Sequence, residues 1–441
     1  MNNKKGNSMS FTKRMILCSL LLPICGAAAN FDEEDFDDQS IPVGGYLITP
    51  ILKLQQRYDT NVISASTDEI ESWVTIFQPA VKVTREFGEF GKHNFELDWI
   101  FTHGAYHASG EDSYNDHDLS GKLNYEINQR HRLMFQGGYV DTHDERGSRF
   151  SIGNGSDLVE PDRFKEIFGA VQYVFGSETS DARLALDAGL LDNDYESVLP
   201  ENGFETDTRD RKTIEFGATF YYKIGDATDL TIEAWKTDFN YDVTIEPTEE
   251  LSSTESRFFI GAEWEATALT TGFAKLGYKN KDFDLAEKDS FNDLEWEVEV
   301  AWEPKTYSRF TFKTVREAQE TNGEGYFNIE TLEVTDKAHL INNTQYSVQW
   351  QHEWRDRIRT EFIYAISEDI YKGDVGDIRE DNNTGINATI FYDMNYWLSF
   401  SLDYNYNDRD SKYFDSTRES ISDGFIYDRE LITLSVRISL F

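Results

Sequence analysis

His107 and Ser109 stand two residues apart in the stretch FTHGAYHASG (101–110), with Asp112 close behind. In an extended chain, residues i and i+2 project to one face. A histidine placed this way could activate a serine hydroxyl for attack on an acyl carbon. Nothing identifies an oxyanion hole or a third group that would orient the imidazole. Asp141-Thr142-His143-Asp144 carries the other hydrolytic pattern, an Asp/His pair that could activate water. Both stretches read better as polar strand-to-loop transitions, which carry such residues commonly in so acidic a chain. His117, His131 and His143 fall beside expected strand ends, and no pair has a metal-ligand spacing. No catalytic residue, metal or cofactor is therefore assigned, and the chain is not read as an enzyme.

The chemistry that does recur is charge on alternating positions. Phe95, Leu97, Trp99 and Phe101 oppose Asn94, Glu96, Asp98 and Thr102. Leu294, Trp296, Val298, Val300 and Trp302 oppose Glu295, Glu297 and Glu299, and Ile214, Phe216, Ala218, Phe220 and Tyr222 oppose Thr213, Glu215 and Lys223. Continued along the chain, this register places two groups of residues on the polar side. One is Lys82, Glu96, Asp98, Lys122, Glu126, Arg183, Asp187, Glu215, Lys223, Glu263 and Glu265. The other is Glu295, Glu297, Glu299, Arg309, Lys313, Arg359, Glu361, Asp403 and Arg437. Any single one reads as a solvated residue paired with a neighbour. Together they argue for a polar lining, whose opposed acidic and basic walls could orient a permeating solute.

The elements that must carry these rows are strands with one apolar and one wet face. They are expected near 46–58, 71–86, 92–108, 117–128, 131–143, 163–175, 181–195, 210–224 and 228–241. Nine more are expected near 255–267, 271–285, 291–303, 307–317, 338–353, 357–370, 382–394, 396–407 and 427–441. The count is eighteen, or sixteen if a pair has been split falsely. Connections after even-numbered strands are short, as at Gln129-Arg130, while those after odd-numbered strands are mostly longer and polar, as at 144–162, 318–337 and 408–426. Tight turns alternating with long loops, and an even count that brings both termini to the short-turn side, fit an antiparallel up-and-down transmembrane β-barrel with periplasmic termini.

Composition agrees. The chain has 81 acidic and 42 basic residues, a formal net charge of −39, which disfavours nucleic acid as a partner. Its 31 Phe, 23 Tyr and 9 Trp are too many for a disordered acidic chain. A soluble sandwich or propeller would also alternate, but around an aliphatic core, and a propeller would show a short repeat; none is found. Trp73, Trp99, Trp235, Trp264, Trp302, Trp350, Trp354 and Trp397, several near strand ends, read as membrane-interface girdles.

Residues 1–29 read as a secretory signal peptide. Lys4, Lys5, Lys13 and Arg14 precede a short apolar core and the small residues Ala27, Ala28 and Ala29. Met9 is an alternative start. Both cysteines, Cys18 and Cys25, lie in this leader, so the exported chain is expected to hold together without disulfides. Residues 30–45 form an acidic periplasmic segment with Asp32, Glu33, Glu34, Asp35, Asp37 and Asp38, in a spacing that matches no calcium loop. Residues 46–441 form the barrel. The last strand, LITLSVRISLF (431–441), alternates strictly, and Leu440 and Phe441 resemble the C-terminal signal read by the barrel-assembly machinery.

Several stretches resemble the outer-membrane β-barrel porins found in exopolysaccharide gene clusters. They are RYDTNVI (57–63), IFQPAVKV (76–83), YNDHDLSGKLNYEINQRHRL (114–133) and GGYVDTHDERGS (137–148). The resemblance covers roughly the first third of the chain and carries over no site residues. It implies a barrel that assists export or assembly of a secreted or capsular polysaccharide. Expected partners are outer-membrane lipid and lipopolysaccharide, the barrel-assembly machinery, the polysaccharide and export-system proteins. A lining for an acidic polymer would be basic, and this chain is acidic, which leaves neutral or amino-sugar polymers or a supporting role. The alternatives are a general or sugar-selective diffusion porin without an export role, and a barrel hydrolase centred on His107 and Ser109.

Overall fold

The computed structural model describes residues 40–439, apart from 154, 157, 197–208, 243–250, 268, 287, 322–325, 329–332, 336–337, 374–375 and 415–422. Among the described residues, eighteen long strands follow one another, each antiparallel to the next. The first six are β1 Tyr46–Asp59, β2 Ser72–Phe87, β3 His93–Tyr106, β4 Tyr114–Asn128, β5 His131–Asp144 and β6 Asp162–Phe175. Then come β7 Ala182–Tyr195, β8 Arg211–Gly225, β9 Thr228–Tyr241, β10 Ser253–Thr267, β11 Thr270–Phe283 and β12 Phe291–Lys305. The last are β13 Ser308–Gln319, β14 Ala338–Arg355, β15 Ile358–Gly373, β16 Gly376–Asn395, β17 Leu398–Tyr413 and β18 Tyr427–Ser439. β18 pairs with β1, from Ser439 opposite Ile51 to Leu431 opposite Asp59, and this closes the barrel.

Closure follows from the alternation. On β8, Ile214 and Phe216 are 43% and 60% exposed while Glu215 between them is 7% exposed. On β18, Leu434 is 53% exposed and Ser435 only 2%. The apolar rows face outward and the polar rows inward, the reverse of a soluble core. Such a surface is stable against lipid, where every backbone N–H and C=O must find its partner within the sheet. The strands outrun the roughly 9–11 residues needed to cross a bilayer, so several project beyond it.

One edge is finished locally. Among the described residues β18 pairs with β1 as far as Ile51, which leaves the start of β1 to another partner. The short strand Ile41–Val43 folds back to cover it, pairing Ile41 with Ile48 and Val43 with Tyr46. The intervening Gly44 and Gly45 have φ of 59° and 86°, which a two-residue turn of this hand requires. Both β1 and β18 reach the end of the barrel that carries the short turns.

All eighteen expected strands are present, and the sixteen-strand alternative is not realised. The largest boundary differences lie at β16, which starts at Gly376 and not 382, and at β17, which ends at Tyr413 and not 407; β15 runs on to Gly373. Asp377, Arg379, Glu380 and Asp381 give no apolar alternation, and the apolar residue among them, Ile378, is buried in a cluster with Tyr371, Tyr413 and Phe425. Trp235 departs from the expected girdle. It shares the inward row with Glu233 and Thr237, and its Nε1–H donates to Glu233 Oε2 at 3.2 Å. Its ring lies over Gly217, where a Cβ would come within 2.2 Å of it. Trp302, Trp354 and Trp397 are exposed near the short-turn end, and Trp73 is exposed at the opposite end, 5.1 Å from Tyr58. The expected leader (1–29), most of the acidic segment, and Leu440 and Phe441 lie outside the described residues.

Candidate functional site

Neighbouring strands bring many of the residues expected to line the interior together. Lys82 Nζ lies 3.5 Å from Glu96, which stands opposite Lys122, while Lys82 stands opposite Asp98. Glu126 faces Arg132. Asp187 accepts from Gln172 Nε2 at 2.8 Å, and Arg183 pairs with Asp229, which also stands opposite Lys223 and Glu263. Glu265 is exposed beside the next turn. Glu297 binds Lys275 at 2.9 Å, and Glu299 stands opposite Lys313. Arg309 lies 3.7 Å from Glu303. Glu361 accepts from Gln351 at 2.8 Å, while the Arg359 guanidinium stacks 4.4 Å from the Phe391 ring. Asp403 accepts from Thr389 at 2.7 Å, and Arg437 stands opposite Lys53 and Ser399.

The densest part of the interior crosses β8 to β12 near the long-loop end. Arg257 on β10 donates to Glu215 on β8 at 2.6 Å and lies 3.0 Å from Glu255. Glu255 binds Lys279 of β11 at 2.5 Å, and Lys279 reaches Glu295 of β12 at 3.5 Å. Thr237 of β9 donates to Glu215 at 2.9 Å. Carboxylate and cation alternate across the strands because a half-dry interior tolerates a charge only beside its opposite. Glu215 and Glu295 are legible from sequence here. Arg257, Glu255, Lys275 and Lys279 are not among the expected residues, although each continues an inward row by the same two-residue step.

Two chain segments fold into the barrel mouth. After β13, Glu320 is bound by Lys281 of β11 and accepts from Tyr241 of β9 at 3.1 Å, while Lys279 donates to the Ala318 carbonyl at 3.0 Å. The end of β13, where Ala318 still pairs with Asn342 of β14, and Glu320 and Thr321 after it are thereby tied to β9 and β11. Between the end of β13 and the walls of β6–β12 is an open recess. On the opposite side, Val62 and Ile63 of the β1–β2 connection pack onto the inward residues Val74, Ile76, Tyr106 and Tyr114. Asn61 fixes that connection, exchanging hydrogen bonds with the Ala65 backbone at 2.8 and 2.9 Å.

The hydrolase arrangement does not form. β3 ends at Tyr106, so His107 and Ser109 no longer share a strand face. His107 is exposed and its Nε2 bonds Thr75 Oγ1 at 2.9 Å. Ser109 is 1% exposed and donates its hydroxyl to Asp112, which Arg146 also clamps at 2.7 and 2.6 Å. The serine thus ties down a loop and presents no free hydroxyl to a histidine. His143 bonds Asp116 at 3.0 Å against the Tyr114 ring, while Asp141 pairs with Arg163. Among the described residues no cluster of metal-ligating side chains is found.

Comparison with known proteins places this geometry. Residues 34–428 match the family described as "Putative beta-barrel porin 2". No curated protein matches the chain. Similar solved structures include OccAB2 of Acinetobacter baumannii, at 14% identity over 89% of this chain and 98% of that one, with a TM-score of 0.47. OccK2 (OpdF) of Pseudomonas aeruginosa shares 10% identity over 89% and 98% of the two chains, with a TM-score of 0.48. The siderophore receptor PirA of Acinetobacter baumannii shares 9% over 89% and 80%, with a TM-score of 0.46. With a match spanning nearly the whole chain, the protein belongs to the "Putative beta-barrel porin 2" family and is a non-enzymatic, outer-membrane β-barrel porin.

Proposed function

We propose that this porin assists export or assembly of an exopolysaccharide or capsular polysaccharide, guiding polar saccharide past a charged interior. The observation that carries this reading is the alternation of carboxylates and cations across β8–β12, which offers hydrogen-bond donors and acceptors at close spacing without a net basic field. Such a wall suits neutral or amine-bearing sugars better than an acidic polymer. The link to polysaccharide production rests on the motif resemblance at 57–63, 76–83, 114–133 and 137–148. In this reading the short-turn end faces the periplasm, residues 1–29 are removed on export, and Leu440 and Phe441 engage the barrel-assembly machinery. Deleting the gene tests it: loss of surface polysaccharide, restored by the intact gene, is expected, and unchanged polymer would overturn the export role.

A sugar-selective diffusion porin is the second reading. It is favoured by Val62 and Ile63, which pack onto the inward residues Val74, Ile76, Tyr106 and Tyr114, and by Glu320 and Thr321, which Tyr241 holds at the mouth; side chains gathered there suit a small solute better than a polymer. Normal polysaccharide in the deletion strain, together with slower uptake of small sugars, would select it.

A further inference from the structure

The recess beneath residues 317–320 has the composition of a ligand site. Its wall opens at Ala170 of β6 and Gly189 of β7, which stand directly opposite each other and together contribute a single methyl group. Five carboxylates line it, those of Glu215, Glu255, Glu295, Glu317 and Glu320, against the two cations Arg257 and Lys279. Glu255 and Glu295 share Lys279, Glu215 is matched by Arg257, and Glu320 by Lys281 behind it. Glu317 has no ion-pair partner among the described residues and accepts only a long bond from Gln319, at 3.3 Å.

Charge imbalance alone would be a solvated acidic patch. The second observation is Thr213, which lines the same recess. It is 7% exposed, and its Oγ1 has no hydrogen-bond partner among the described residues. A buried hydroxyl left unpaired costs free energy unless something in the recess completes it. Thr213 stands opposite Leu191, two residues along β7 from the Gly189 opening, so the hydroxyl borders the space that the small residues leave.

We propose that this recess binds one amino-sugar unit, with the protonated amine at Glu317 and a ring hydroxyl at Thr213. An ammonium supplies the cation that Glu317 lacks, and a sugar hydroxyl can both donate to and accept from Thr213 Oγ1. A carboxylated sugar would meet five glutamates and be rejected. This site rests on the reading of the barrel interior as a saccharide pathway, whether for a polymer or for single sugars.

The probes are glucosamine, N-acetylglucosamine and glucose, titrated calorimetrically into the full barrel in detergent. Glucosamine is expected to bind at least about tenfold more tightly than the two neutral sugars, since one charge-assisted hydrogen bond separates them. Glu317→Gln is expected to abolish that preference. Thr213→Val, nearly equal in volume, should weaken all three sugars together, and Ala170→Leu, which fills the opening, should remove binding. Heat-modifiable gel migration confirms that each variant is folded. Equal affinity for glucosamine and N-acetylglucosamine, or an unchanged preference in Glu317→Gln, would overturn the site. A barrel that conducts ions yet shows either result would fail this inference alone and leave the pore intact.

Discussion

Arg429 on the last strand donates its Nε–H to Asp59 Oδ1 on the first strand at 3.0 Å, and its Nη2 to Oδ2 at 2.5 Å. Arg429 is 1% exposed and Asp59 fully buried, so a two-pronged ionic clamp spans the seam where the barrel closes. Removing one member strands a buried charge, which costs about 3–5 kcal/mol. Arg429→Ala is therefore expected to lower unfolding free energy by roughly that amount, read as a shifted urea midpoint of the detergent-refolded barrel. Asp59→Asn should cost less, because the amide oxygen still accepts one bond.

The same arginine reaches Glu145, in the connection after β5, through Nη1 at 2.7 Å. Burial on its own pushes the Glu145 carboxyl up, but Arg429 and Arg57 more than offset this and hold it down at about 2, below its ordinary 4.5. A depressed carboxyl contributes stability that is fully present above about pH 4.5 and lost as pH falls toward 2. Discounted for partial exposure, the contribution is on the order of 2 kcal/mol. Stability against urea should fall across this window in the native chain. In Glu145→Gln that acid-side slope should be reduced, with stability near neutral pH already lower.

Gly217 is held small by Trp235. A Cβ at this position would sit 2.2 Å from the indole ring. Gly217→Leu should force the tryptophan off its rotamer, break its bond to Glu233 and cost about 1–3 kcal/mol. Near-ultraviolet circular dichroism of the folded variant should change at the tryptophan bands. An unchanged spectrum would mean that the ring does not lie on this wall.

Phe216, the neighbour of Glu215 on β8, is 60% exposed on the outer face. Placed against hydrocarbon, Phe216→Arg should destabilise the barrel in lipid vesicles by about 2–4 kcal/mol near the bilayer midplane and less toward either interface. Thr213→Arg, on the inward row of the same strand, should not show that lipid-dependent cost.

The strand order was legible because lipid outside and water inside impose a two-residue period on every membrane-crossing segment. Thr213, Glu215 and Phe216 could be assigned faces from that period alone. Legibility ended where the constraint ends. At 376–381 the apolar Ile378 is buried in a local cluster with Tyr371, Tyr413 and Phe425, so Arg379 and Asp381 give no alternation to read. Trp235 reads as a lipid anchor from sequence because aromatic residues of barrels commonly are, and the missing side chain at Gly217 makes room for it inside. Val62 and Ile63 look like any apolar pair in a loop, since their contact with Val74 and Ile76 depends on how the connection folds back. The recess is a long-range product of the same kind. It needs Ala170 and Gly189 opposite each other and the end of β13 tied to β9 and β11 through Glu320 by Tyr241 and Lys281, which no local pattern announces.

Planar-bilayer recording of the refolded full-length barrel tests the central claim most directly. Discrete conductance steps, with transient blocks when glucosamine oligosaccharides are added, are the expected result. No conductance and no solute uptake by vesicles carrying the folded protein would contradict a saccharide pathway through the barrel.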